Sequence, residues 1–223
     1  MFDRPRGIIQ QAYKLKTDFF ERFEEYGKGE YEYNARVIQP KGYPKYGTIN
    51  RYFYRPEPIT DFERIEMEGT LSFLEGIDYL HTKPKLPIMS RRMLYVLNSV
   101  EEFPHQVIPV SIEDDEVPIY NHETHQRSGK VNDTDYVAVQ ILKYLDIFDY
   151  EQSVYEPDRI NPGEIRNIRE IILKEPPEGF PPLFRIPEDR LNLYVSPQAR
   201  AVLEDADITG INFIDLTLNN YLL

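Results

Sequence analysis

Four consecutive acids, Glu113-Asp114-Asp115-Glu116, form the densest group of reactive side chains in the chain. Neighbouring carboxylates raise one another's pKa and can ligate a divalent cation or exchange protons with a substrate. Asp133 and Asp135 join them if the segments flanking the polar stretch HETHQRSGKVN close as a hairpin. The same six residues could equally form a solvated face, or a docking surface for a basic protein. Inside the polar stretch, His122 and His125 are separated by two residues and could share a metal with Asp133 or Asp135. No third ligand follows at metal spacing, and the zincin helix pattern is absent. A third group, Asp146, Asp149 and Glu151, surrounds Tyr150. The sequence has no glycine-rich phosphate loop, no G-x-S-x-G elbow and no cysteine. We therefore assign no catalytic residue, no metal ligand and no cofactor. Glu113, Asp114, Asp115, Glu116, Asp133 and Asp135 are assigned to partner binding.

The elements that must position these residues begin with a repeat. Residues 86–112 are a degenerate copy of the core of 181–218, displaced by 106 positions without a gap. Ser90 falls on Ser196, and Met93, Val96, Leu97 and Val100 fall on Ala199, Val202, Leu203 and Ala206. Each set has the i, i+3, i+4, i+7 spacing of one helix stripe. Ile108, Val110 and Ile112 alternate as Ile214, Leu216 and Leu218 do, the period of a strand with one buried face. Ser90 and Ser196 stand where a helix N-cap belongs, and Pro197 occupies the first helical position, where its missing N–H costs nothing. The chain thus holds two strand–Ser–helix–strand units.

Elsewhere, Ile8, Ala12, Leu15, Phe19, Phe23 and Tyr26 keep helical spacing and predict an N-terminal amphipathic helix over 7–26. Residues 27–46 read as a tyrosine-rich loop or edge segment. TINRYFYRP at 48–56 alternates like a strand, SFLEGIDYLH suggests a short helix or turn, and NIREIILKE at 167–175 a further strand. EPPEGFPP forces a turn before LFRI, because proline cannot continue a ladder. The expected class is α+β: a single domain of mixed sheets, with residues 1–46 as N-terminal helix and tyrosine-rich segment and 47–223 as the domain proper. Seventeen tyrosines and twelve phenylalanines supply packing and interface area.

The net charge is −12, and it is uneven. Residues 1–50 carry nine basic and seven acidic side chains; the remaining 173 carry 17 and 31, a balance of −14. Such a surface repels nucleic acid and draws a basic partner by electrostatic steering. Absent cysteine fits a reducing compartment, no signal-peptide core opens the chain, and no run nears the roughly 20 apolar residues of a membrane span. A cytoplasmic location without membrane contact is expected.

PLFRI, LYVSPQARAVLEDADITGINFIDL and DIFDYEQSVYE together resemble a large family of bacterial immunity proteins encoded beside polymorphic toxins. It is the eleventh numbered family of that kind, formerly a domain of unknown function. The resemblance spans roughly residues 50–218, and its most specific parts are LFRI, the serine at the helix start and the TGINF turn. It implies a stoichiometric inhibitor that occludes a cognate toxin domain, with a basic nuclease one such toxin, acting as monomer or homodimer. It also implies that Asp146, Asp149 and Glu151 are structural, ending a strand in a turn that places Ser153. Two other readings stay open: a metal-dependent hydrolase that reverses a toxin's product or modification through the 113–116 carboxylates, and an adaptor that oligomerises through the N-terminal helix.

Overall fold

The computed structural model describes residues 12–18, 35–37, 49–121, 126–161 and 164–216, with side chains described outside 35–37 and 115–130. The strands are β1 (Tyr13–Thr17), β2 (Ala35–Val37), β3 (Ile65–Gly69), β4 (Thr82–Lys83), β5 (Ile88–Ser90), β6 (His105–Asn121), β7 (Gln126–Ile141), β8 (Val154–Pro157), β9 (Ile165–Glu170), β10 (Leu183–Phe184), β11 (Leu193–Val195) and β12 (Ile211–Asp215). The helices are α1 (Asn50–Phe53), α2 (Leu71–Leu74), α3 (Arg91–Val100) and α4 (Pro197–Asp205). They build an α+β domain around a six-stranded mixed sheet, β4-β2-β3-β6-β7-β5, and a four-stranded sheet, β10-β11-β1-β12, with β8-β9 as a separate hairpin.

Both serines leave a strand in extended conformation and cap a helix. Ser90 Oγ accepts the Met93 N–H at 3.0 Å, and Ser196 Oγ accepts that of Ala199 at 3.1 Å. β5, α3 and β6 then frame β7, which runs antiparallel between the two strands: Ile88 faces Ala138, which faces Ile108. β11, α4 and β12 frame β1 in the same way: Tyr194 faces Lys14, which faces Ile214. Ile88 and Tyr194, like Ile108 and Ile214, are 106 positions apart. The displacement found in the sequence is therefore the geometric correspondence of two split β-α-β units. The likeness reaches further upstream. Tyr79 bridges Met89 as Leu183 pairs with Val195, and Glu75-Gly76 and Glu178-Gly179 place glycines at φ 74° and 81°.

Strand alternation sorts the apolar side chains into layers. Met89, Val137 and Val139 from one sheet share a core with Leu15, Leu193 and Val195 from the other, joined by Met93 and Leu97 of α3 and Ala199 and Leu203 of α4. Ile88, Ala138, Ile108 and Val110 turn the opposite way onto Phe53 and Leu74 of α1 and α2. Phe184, Ile186 and Tyr194 turn away onto Phe148, Ile171 and Leu173.

Asp78 joins the two units. Its buried carboxylate receives Ser90 Oγ at 2.5 Å, Arg92 at 2.6 and 3.1 Å, and the Thr209 N–H at 3.0 Å. Burial alone would raise this carboxyl, but the bonds from Arg92, Ser90 and Thr209 outweigh burial and hold it below its ordinary value. Arg92 also donates to the carbonyls of Ala206 and Asp207, at the end of α4. Gly210 completes the junction at φ 76°: a Cβ there would stand 2.6 Å from the Tyr79 carbonyl oxygen. The TGINF turn is thus where the second unit seats on the first.

Three sequence expectations are corrected. Within the segment expected as an N-terminal helix, Tyr13–Thr17 is an inner strand, and the remainder, apart from Ala12 and Asp18, lies outside the described residues. YKLKT also alternates, and it pairs with β12 along its whole length and with β11 from Tyr13 to Leu15, which local helical spacing cannot match. Residues 50–53 form a short helix and not a strand, because Ile49 and Phe53, four apart, both enter the core of α1 and α2. β9 ends at Glu170, short of the expected 175.

Candidate functional site: an acidic sheet face

β3 lies parallel to β6, with Glu66 beside Ser111 and Glu68 beside Glu113. Across β6, Asp133 stands opposite Ser111 and Val131 opposite Glu113. Ile65, Met67, Val110 and Ile112 are buried on one side of these strands. Alternation therefore puts Glu66, Glu68, Glu113, Val131 and Asp133 together on the other. Val107 and Pro109 continue this strip along β6; Val107 is 36% exposed and Val131 55%. Ser111 lies buried within the face, its hydroxyl without a hydrogen-bond partner. Arg64 reaches Asp133 at 3.3 Å, but both side chains are exposed and such a pair contributes little. Arg36 stands opposite Glu68 in the β2–β3 register, so the face is mostly and not wholly acidic; apolar side chains among mainly acidic ones suit a docking surface for a basic protein.

The residues assigned from the sequence divide. Glu113 and Asp133 belong to this face, and Asp135 is exposed further along β7, beside the break in register between Pro109 and Ser111. Asp114 faces the other way, and its Oδ1 accepts the Leu71 N–H at 3.4 Å at the start of α2. The run of four acids is thus split by the pleat and does not act as one cluster. Asp115 and Glu116 fall where the β6–β7 register is interrupted; their side chains lie outside those described. His122, Glu123, Thr124 and His125 are likewise outside the described residues. Among the described residues no three His, Asp or Glu side chains stand close enough to hold a metal ion. Asp149 is buried and accepts the N–H groups of Glu151 and Gln152, while Ser153 bonds both ways with Ile172, so this segment forms a structural turn.

Glu66 and Glu68 were missed in the sequence reading. Their signal was the alternation of IEMEG at 65–69, a half-buried strand whose polar positions are both acidic.

No protein-family model matches the chain, and no curated protein matches it. Among the described residues, no helix is long and apolar enough to cross a membrane.

Proposed function

We propose that the chain is an immunity-type binding protein that docks a basic toxin domain on the β3–β6–β7 face and blocks it by occlusion, without turnover, in the cytoplasm of the producing cell. The observation that carries this reading is the register that sets half-buried Glu66, Glu68 and Glu113 and exposed Asp133 on one face with Val107 and Val131. The balance of −14 after residue 50 and the resemblance of residues 50–218 to immunity proteins support it. Apolar area supplies affinity, and the carboxylates set the association rate and the choice of partner.

The test uses the toxin domain encoded next to this chain. Replacing Glu66, Glu68 and Glu113 with Gln and Asp133 with Asn slows association about tenfold or more at low salt and flattens its salt dependence, with folding intact. An unchanged association rate at low salt, measured by stopped flow, removes this face from the interface.

A further inference from the structure

Although residues 51–223 carry an acidic excess, the fold gathers cations in one place. A cavity of about 550 Å³ opens between α1, the β8–β9 hairpin and the short turn Pro187–Asp189. Arg51, Arg55 and Arg190 line it with Tyr54 and Tyr150, and two carboxylates, Glu164 and Glu188, stand in the same wall. An adjoining hollow of about 390 Å³ shares Arg190 and Glu188 and adds Arg166, with Lys14 and Arg169 already paired to Asp189 and Glu156. Among the described residues, Arg51, Arg55 and Arg190 form no ion pair; Arg190 Nε donates only to the Pro187 carbonyl, at 3.0 Å.

Behind this wall lies a stronger anomaly. Arg185 is 2% exposed, and its Nη1 donates to the carbonyls of Arg190 and Asn192. Its Nε has no partner, and its guanidinium carbon sits 5.7 Å from the Tyr54 ring centroid. A buried cation answered only by carbonyl dipoles and a ring face is left largely uncompensated. The nearby Asp189 carboxylate is already engaged by Lys14 at 3.1 Å, Asn192 at 2.6 Å and the Tyr194 hydroxyl at 2.5 Å. Nor does Tyr79 serve as counter-ion: burial pushes its hydroxyl up to about 12. Partial burial, with the cations Lys14, Lys16 and Arg185, lowers Lys85 nearby, which reports the same positive field. Glu188 Oε1 accepts a hydrogen bond from the Tyr150 hydroxyl at 2.5 Å, while its Oε2 is buried without a donor.

We propose that this cleft binds a small organic phosphate of the nucleotide class. Guanidinium forks match phosphate oxygens bidentately, and an aromatic ring face accepts a planar base. The cavity volume falls within the range of small-molecule sites. The inference stands apart from the partner assigned to the acidic face.

The experiment titrates the full chain with a fluorescent ATP analogue, with inorganic triphosphate and with poly-L-glutamate. Both phosphate probes bind saturably, the nucleotide more tightly. Arg55→Ala and Arg190→Ala each weaken both about tenfold or more, with unfolding midpoints unchanged. The fourfold acidic-face variant binds like the parent. The proposal is overturned if neither phosphate saturates, or if the arginine variants bind unchanged. Equal affinity for the two phosphates removes the nucleotide assignment, and binding of poly-L-glutamate alone makes the cleft a peptide site.

Discussion

The two split β-α-β units share a frame and differ in what is built on it. In the first, the inner strand β7 follows the helix in sequence as the return arm of a long hairpin; in the second, β1 comes from the other end of the chain. The first unit extends β6 to 17 residues and adds β3 alongside, and these additions carry the carboxylates of the acidic face. The second keeps a five-residue β12 and elaborates the turn between β10 and β11, which supplies Arg185, Glu188 and Arg190 to the basic cleft. The shared frame serves stability; the first elaboration gathers acids, while the second, itself balanced in charge, brings Arg190 to the cations of Arg51 and Arg55. A net charge of −12 averages over both and describes neither.

The source of the inner strand gives the largest test. Deleting residues 1–18 strips β1 from between β11 and β12, leaving two unpaired edges and an open core. We expect loss of cooperative urea unfolding and of near-ultraviolet circular dichroism. The milder Leu15→Ala destabilises by about 2–5 kcal/mol. A truncated chain that keeps its cooperative transition would show that the second unit does not need β1.

The junction between units comes next. Asp78→Ala leaves Arg92, Ser90 and Thr209 without their common acceptor and costs about 3 kcal/mol, the lower end for a broken buried pair because Arg92 is half exposed. The pH dependence has a definite sign. The Asp78 carboxyl lies below its ordinary 3.8 in the folded state, so its contribution is present above 3.8 and fades as pH falls through the folded value. The stability gap between parent and Asp78→Asn should stay constant near neutrality and shrink only in acid. A gap that persists unchanged through acid unfolding would contradict this account.

The caps give the smallest and sharpest comparison. Ser196→Ala loses one cap bond, about 1 kcal/mol. Ser90→Ala loses its cap bond and also the hydroxyl's bond to the Asp78 carboxylate, together about 2–3 kcal/mol. Equal losses in urea titrations would mean that the first cap is not coupled to the junction.

Much of the frame was legible because it is local. A serine before an apolar stripe announces a capped helix, and alternating residues after it announce a strand, so the 106-position displacement survives weak identity. The alternation of the acids was legible too: in a strand, Glu113 and Asp114 must face opposite ways. YKLKT failed for the converse reason, since it satisfies helical and strand periods together and only its two neighbours decide between them.

The sequence by itself determined the two units, their caps, the turn before LFRI and the excess of acid, all of which follow from residue type and short-range spacing. Tertiary structure alone decided where charge accumulates. Glu68 stands beside Glu113, and Glu66 in one row with Asp133, only through the pairing of β3, β6 and β7, and Arg51 meets Tyr150 and Arg190 only because three segments far apart in the chain enclose one cleft. Charges interact through distance in space, which sequence separation does not report until the strands are paired.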